Sequence, residues 1–241
     1  MNRREFGLAA SATALSLSVV NQALAQTPPT LLPLSAWGAL PAIELVALSA
    51  DASRLAFVGV AGEQRRLILQ TLDGQVLAAI GLGDTKVVDI AWAGNDDIVI
   101  TTSKTTSLPE VGLSKREFFL AQSFSLTKKR FLNLPGSVRN ALGFVRTIPQ
   151  ARVVNGAPYA YFSVFNIEGD VRIQLVEIAL KDGTVAIIDA ANPGIETWKV
   201  NENGVPVARS RYDQSSGRWA ASLRRGANWP DVFQLQAPLD P

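Results

Sequence analysis

Four groupings of residues in this sequence could carry chemistry. Ser103-Lys104 and Ser114-Lys115 place a hydroxyl beside an amine, the minimum for a serine nucleophile that dispenses with histidine. Asp96-Asp97 is a carboxylate pair of the kind used in acid–base or metal chemistry. Gly81-Leu82-Gly83-Asp84-Thr85-Lys86 opens like a phosphate-cradling loop. Each meets a physical objection. Both Ser-Lys pairs are neighbours in sequence, which does not aim one side chain at the other. Adjacent carboxylates on a strand or turn point apart, whereas hydrolytic carboxylates must face each other across a cleft. The glycine run lacks its third glycine and a following helix, so it reads as a turn. Trp37, Trp92, Trp198, Trp219 and Trp229 could form an aromatic platform, but their scatter favours packing between elements.

The residues that are missing narrow the chemistry further. There is no Cys, which excludes disulfides, thiolate catalysis and Cys-based metal sites, and no His, which excludes the Ser-His-Asp triad. No catalytic, cofactor-binding or metal-ligating residue is assigned, and no cofactor is expected. The chain carries 23 basic and 21 acidic residues, a net charge of +2. Lys128-Lys129-Arg130 and Arg224-Arg225 are read as solvated turn residues, and no nucleic-acid partner is expected.

The first 25 residues read as an export signal. Arg3 and Arg4 precede Phe6, an uncharged Ala-, Leu- and Ser-rich stretch follows to Val20, and Ala23 and Ala25 are the small residues a signal peptidase reads. The order Arg3-Arg4-Glu5-Phe6 resembles the bacterial twin-arginine signal. The stretch is short and Ser-rich for crossing ~30 Å of hydrocarbon. Cleavage before Gln26 is therefore expected, leaving a mature chain that does not span the membrane and resides in the periplasm or outside the cell. Without Arg3, Arg4 and Glu5 the balance is 21 basic to 20 acidic residues.

Residues 26–42 read as a linker, and from Ile43 onward short β-branched and aromatic runs alternate with Gly, Asn, Asp and Pro. The runs group by fours: 43–48, 54–60, 66–71 and 75–80; 87–92, 98–103, 117–126 and 130–134; 151–154, 159–165, 171–180 and 184–189; 195–201, 205–212, 218–224 and 231–236. The groups begin at Ile43, Val87, Ala151 and Ile195, steps of 44, 64 and 44 residues. Turn residues recur at matching places, with Asp73-Gly74 and Asp182-Gly183 between third and fourth strands. Four-stranded units at this spacing are the sequence pattern of β-propeller blades. The expected fold is all-β, a partial or small propeller of about four antiparallel blades over 43–83, 87–135, 151–191 and 195–236. Lys104–Arg116 reads as a loop between blade strands. Val138, Leu142 and Val145 lie at helical spacing, so Ser137–Thr147 reads as a short helix.

The run Leu34-Ser35-Ala36-Trp37-Gly38-Ala39-Leu40-Pro41, leading into Leu48-Ser49-Ala50-Asp51-Ala52-Ser53 and the strand Arg54-Leu55-Ala56-Phe57, resembles the propeller opening of the prolyl oligopeptidase family of serine peptidases. Ala50 stands where that family has Pro, and Ser53 follows the Asp later than its Gly would. Ile90 to Asp97 is similar to the matching hairpin of the next blade, and Pro158 to Tyr161 and Trp198 to Trp219 are similar in style. The resemblance covers most of residues 34–236. It implies a propeller that caps an active site and admits peptides rather than folded proteins. The family's catalytic domain would follow, with Gly-x-Ser-x-Gly and the Asp and His of a triad. The nearest approach, Gly112-Leu113-Ser114-Lys115-Arg116, lacks the last Gly and has no His to serve it.

The functional expectation is an exported, non-catalytic propeller segment of such a peptidase, truncated before the catalytic domain. A peptide substrate or a separately encoded catalytic domain would be its partner. The rival is a stand-alone periplasmic propeller that binds a ligand or protein, and a carboxylate-based glycosidase ranks third. Four blades without a closing blade would expose apolar surface and unpaired edges, so self-association is also expected.

Overall fold

The computed structural model describes residues 41–108, 113–169, 171–190 and 194–236, within a compact unit spanning Leu40–Pro241. The leader residues Arg3, Arg4, Phe6, Ala23 and Ala25, the linker to residue 40, and Trp37 lie outside them. Among the described residues, sixteen strands form four antiparallel sheets, each a meander of four consecutive strands. The first sheet contains β1 (Ile43–Leu48), β2 (Arg54–Ala61), β3 (Gln64–Thr71) and β4 (Val76–Gly83). The second contains β5 (Lys86–Ala93), β6 (Asp97–Leu108), β7 (Leu113–Ser125) and β8 (Arg130–Asn133). The third contains β9 (Gln150–Val154), β10 (Ala157–Asn166), β11 (Arg172–Ala179) and β12 (Val185–Ala190). The fourth contains β13 (Ile195–Val200), β14 (Pro206–Asp213), β15 (Arg218–Leu223) and β16 (Asp231–Gln236).

Alternation along the strands explains how these sheets assemble. Successive residues point to opposite faces, so a sheet with apolar residues at every position can pack on both sides. Ala56, Val58, Leu67 and Leu69 of the first sheet bury against Ile98, Ile100 and Phe124 of the second. The alternate residues Val99 and Ala121 pack the second sheet's other face on Phe162, Val164 and Val176 of the third. Tyr161 and Leu175, on the third sheet's remaining face, meet Ile195, Trp198 and Val200 of the fourth. The result is a β-propeller-like series of four sheets joined by three apolar interfaces. Strand β5 neighbours both β1 and β9, whereas β13 sits against β10 and β11. Among the described residues, no buried cluster joins the fourth sheet to the first.

Two segments depart from the sequence expectation. Within Lys104–Arg116, the described residues 104–108 and 113–116 are strand rather than loop. Strands β6 and β7 continue pairing past the sheet, with Lys104 opposite Phe118 and Leu108 opposite Leu113, so the second sheet projects a long hairpin. Ser137–Thr147 is not a helix. Pro135–Ser137 makes one 3-10 turn, Asn140 takes a left-handed φ of 57°, and Val145 forms a bridge to Phe119. Val138 and Val145 are buried between the second and third sheets, so their helical spacing is incidental to an irregular packed segment. Among the described residues, no helix is long and apolar enough to cross a membrane.

Candidate functional site

The turns joining first to second and third to fourth strands lie together at one end of the series, and their polar residues tie the sheets to one another. In the β1–β2 turn, Asp51 accepts hydrogen bonds from Ser49 Oγ at 2.8 Å and the Ser53 amide at 2.9 Å. Those bonds, from Ser53 first and then Ser49, hold its carboxyl at a pKa of about 2. Asn95 in the β5–β6 turn donates to the other Asp51 oxygen, and Arg54 donates to the Asn95 carbonyl. The Leu-Ser-x-Asp stretch that carries the family resemblance is thus a self-capped turn that also holds the next sheet.

Asp96 and Asp97 diverge. Burial raises the Asp96 pKa, but donors outweigh it: Thr127 through its amide and hydroxyl at 2.8 and 2.6 Å, and Ser125 Oγ at 2.7 Å. Its net pKa lies below the ordinary carboxylate value, and Asp96 caps the β7–β8 turn. Asp97 has the parity of Val99 and lies at the second sheet's seam with the third. It is 7% exposed, and no hydrogen bond to its carboxylate forms among the described residues. Burial, then the Asp96 charge, push its pKa up to about 6, with Lys128 pulling the other way. A cleft of about 530 Å³ opens at this seam, lined by Asp97, Lys128, Asn155, Pro158 and Lys181. Lys128 Nζ crosses to donate to the Lys181 carbonyl, bridging the two sheets.

The projecting hairpin creates a second hollow at the opposite end of its strands. Phe118 and Leu120 on β7 and Leu142 and Phe144 on the irregular segment line about 270 Å³ of almost wholly apolar space. Phe118 and Phe144 lie 4.5 Å apart between ring centres, Phe144 and Phe165 6.0 Å apart, and Arg146 sits 5.2 Å over Phe165. No sequence pattern marks this hollow, because the segments that build it lie far apart in the chain and meet through the Phe119–Val145 bridge and the Phe118–Phe144 ring contact.

The seam between third and fourth sheets is more polar. Gln150 donates to the Trp198 carbonyl at 2.9 Å and accepts from the Val200 amide at 3.1 Å, imitating a strand pair with its side chain. Arg152 donates to the Val200 and Asn201 carbonyls, and Trp198 Nε1 donates to Asp189 at 3.0 Å. Arg146 pairs with Glu196 at 3.0 Å.

None of the sequence's catalytic candidates assembles. Ser103 and Lys104 are successive residues of β6, so their side chains leave opposite faces. Ser114 and Lys115 fall near the start of β7, in a hairpin strand rather than a strand-to-helix elbow. Gly81 and Gly83 end β4, and the chain enters β5 at Lys86 with no helix. The described tryptophans are dispersed: Trp92 donates to the Ala47 carbonyl, Trp198 is buried, Trp219 meets Phe233, and Trp229 lies under Arg209. Among the described residues, no three His, Cys, Asp or Glu gather where a metal ion could be held.

No family model matches the sequence, and no curated protein matches it. Solved structures match in shape. The acylaminoacyl peptidase of Pyrococcus horikoshii is 9% identical with a TM-score of 0.48, over 80% of this chain and 32% of that one. TolB from Acinetobacter baumannii is 14% identical with a TM-score of 0.37, over 78% of this chain and 40% of that one. An oligogalacturonate lyase in complex with manganese is 8% identical with a TM-score of 0.46, over 80% of this chain and 54% of that one. The chain spans about half or less of the length of these structures.

Proposed function

We propose that this chain is an exported, non-catalytic β-propeller segment that controls access to the active site of a prolyl oligopeptidase-like serine peptidase. The observation that carries this reading is the series of four meander sheets opening with the self-capped Asp51 turn, the part of the chain where the family resemblance is densest. Export rests on the Arg3-Arg4-x-Phe6 leader and the Ala23-x-Ala25 cleavage site. Peptides are the substrates such a segment would admit, and a catalytic domain, separately encoded or following in the same frame, is its partner. The open ends of the series also favour self-association.

The protein, purified from an exporting bacterial host, is expected to leave chromogenic peptide esters unhydrolysed. Turnover that disappears on substitution of a serine in this chain would overturn the reading. The reading frame beyond the Pro241 codon separates the proposal from its rival. Gly-x-Ser-x-Gly followed by Asp and His supports it. An unrelated gene there favours a stand-alone periplasmic binding module, for which the apolar hollow beneath the hairpin is the specific observation.

A further inference from the structure

The second and third sheets each use both faces, one against the preceding sheet and one against the following. The terminal sheets use one. In the first sheet, Ala56 and Val58 face the second sheet, and the alternate residues face away. These outward residues stand in register across all four strands: Val46 opposite Phe57, Phe57 opposite Ile68, and Ile68 opposite Ala79. Leu48, opposite Leu55, continues the surface, and Val46 and Leu48 are 60% and 56% exposed. In the fourth sheet, Trp198 and Val200 face the third. The opposite face presents Ala221 beside Phe233 and Trp219 beside Leu235, with Phe233 55% exposed. Among the described residues no buried cluster covers either face, and the two are of opposite sense, one on the first sheet and one on the fourth. They complement one another as interior faces do.

We propose that two copies of this chain close head to tail, the outward face of each first sheet packing on the outward face of the other's fourth sheet. The three internal interfaces are the precedent, since each joins apolar faces of successive sheets in this sense. Area supports closure. Four strands at about 4.8 Å spacing and six residues at about 3.3 Å give a face of about 400 Å². A single contact falls short of a stable interface, whereas two in a closed pair reach about 800 Å² per copy, the ordinary size. A head-to-tail contact must close or grow into a filament, and closing at two copies leaves neither apolar face bare. The inference rests on the open-ended series of the proposed function and is independent of export and of the peptidase partner.

Sedimentation of the protein from an exporting host tests it. A dimer is expected at tens of micromolar, above the micromolar-to-picomolar dissociation constants that interfaces of about this size span. Val46→Lys and Phe233→Lys each place a charge in both contacts, and each should raise the dissociation constant about a hundredfold or more. Both sites are exposed, so circular dichroism and melting should stay native; Leu48→Lys is the substitute if Val46→Lys misfolds. Mixing the Val46→Lys and Phe233→Lys proteins leaves one wild-type contact, too small by itself to hold a stable pair, so the mixture should associate far more weakly than the wild type. A monomeric wild type, a ladder of larger species, a dimer insensitive to either substitution, or a mixture that dimerises as tightly as the wild type would each overturn the proposal.

Discussion

Replacing Asp97 by Asn should make the protein more stable at neutral pH, the reverse of what removing a charged surface group usually does. The carboxyl is buried at the seam of the second and third sheets and receives no hydrogen bond among the described residues, and its pKa is pushed up to about 6 from an ordinary 3.8. Between those values the folded protein holds a proton that the unfolded chain has released. Its contribution to stability is therefore fully present below about pH 4, and is lost as pH rises to about 6. Two pKa units correspond to about 3 kcal/mol. The cleft admits water and Lys128 lies close by, so about 1–2 kcal/mol is the expected share at pH 7.5. Asn keeps the shape and removes the charge. Melting temperatures of both proteins from pH 4 to pH 8 give the test, with each kcal/mol worth about 2–4 °C at this size. The curves should converge near pH 4 and separate above pH 6, with the variant higher. A variant less stable at pH 7.5 would mean that Lys128 holds the Asp97 carboxylate in a favourable ion pair, refuting the reasoning.

Two further substitutions probe the seam between the third and fourth sheets. Gly204 has a φ of 72°, and a Cβ there would collide with the Tyr161 hydroxyl, which donates to Glu177. Gly204→Ala should cost about 2 kcal/mol or more in urea unfolding, and a neutral result would show that the turn and Tyr161 can separate freely. Gln150→Leu leaves the Trp198 carbonyl and Val200 amide without the side chain that bonds both, at a cost of about 2–3 kcal/mol. Hydrogen exchange should quicken in β13 before it does in the first sheet, and uniform quickening would contradict the view that Gln150 pins the fourth sheet locally.

The strands were legible because their causes are local. Alternation such as Ala56, Val58 against Leu55, Phe57 and turn pairs such as Asp182-Gly183 act within a few residues, and each sheet is a meander, so grouping in sequence is grouping in space. The β6–β7 hairpin escaped notice because Lys104–Ser107 is polar throughout and satisfies its backbone within the hairpin, which needs no apolar stripe. Val138, Leu142 and Val145 misled for the opposite reason. Their spacing fits a helix, but Pro135, Gly136 and Gly143 bracket the segment and the backbone at Asn140 is left-handed, so burial was achieved without helical hydrogen bonds.

Asp96 and Asp97 show where reading a site from sequence stops. That adjacent carboxylates diverge follows from strand geometry alone. Which one is satisfied does not, because the donors to Asp96 come from the β7–β8 turn, 29 to 31 residues later, and the seam that strips water from Asp97 is completed by the third sheet. The same reason hides the apolar hollow, whose two walls come together through the Val145–Phe119 bridge and the Phe118–Phe144 contact. In a series of sheets the strands are local products, but every cleft is a seam between sheets. Hence the chemistry of this chain is decided by residues dozens of positions apart.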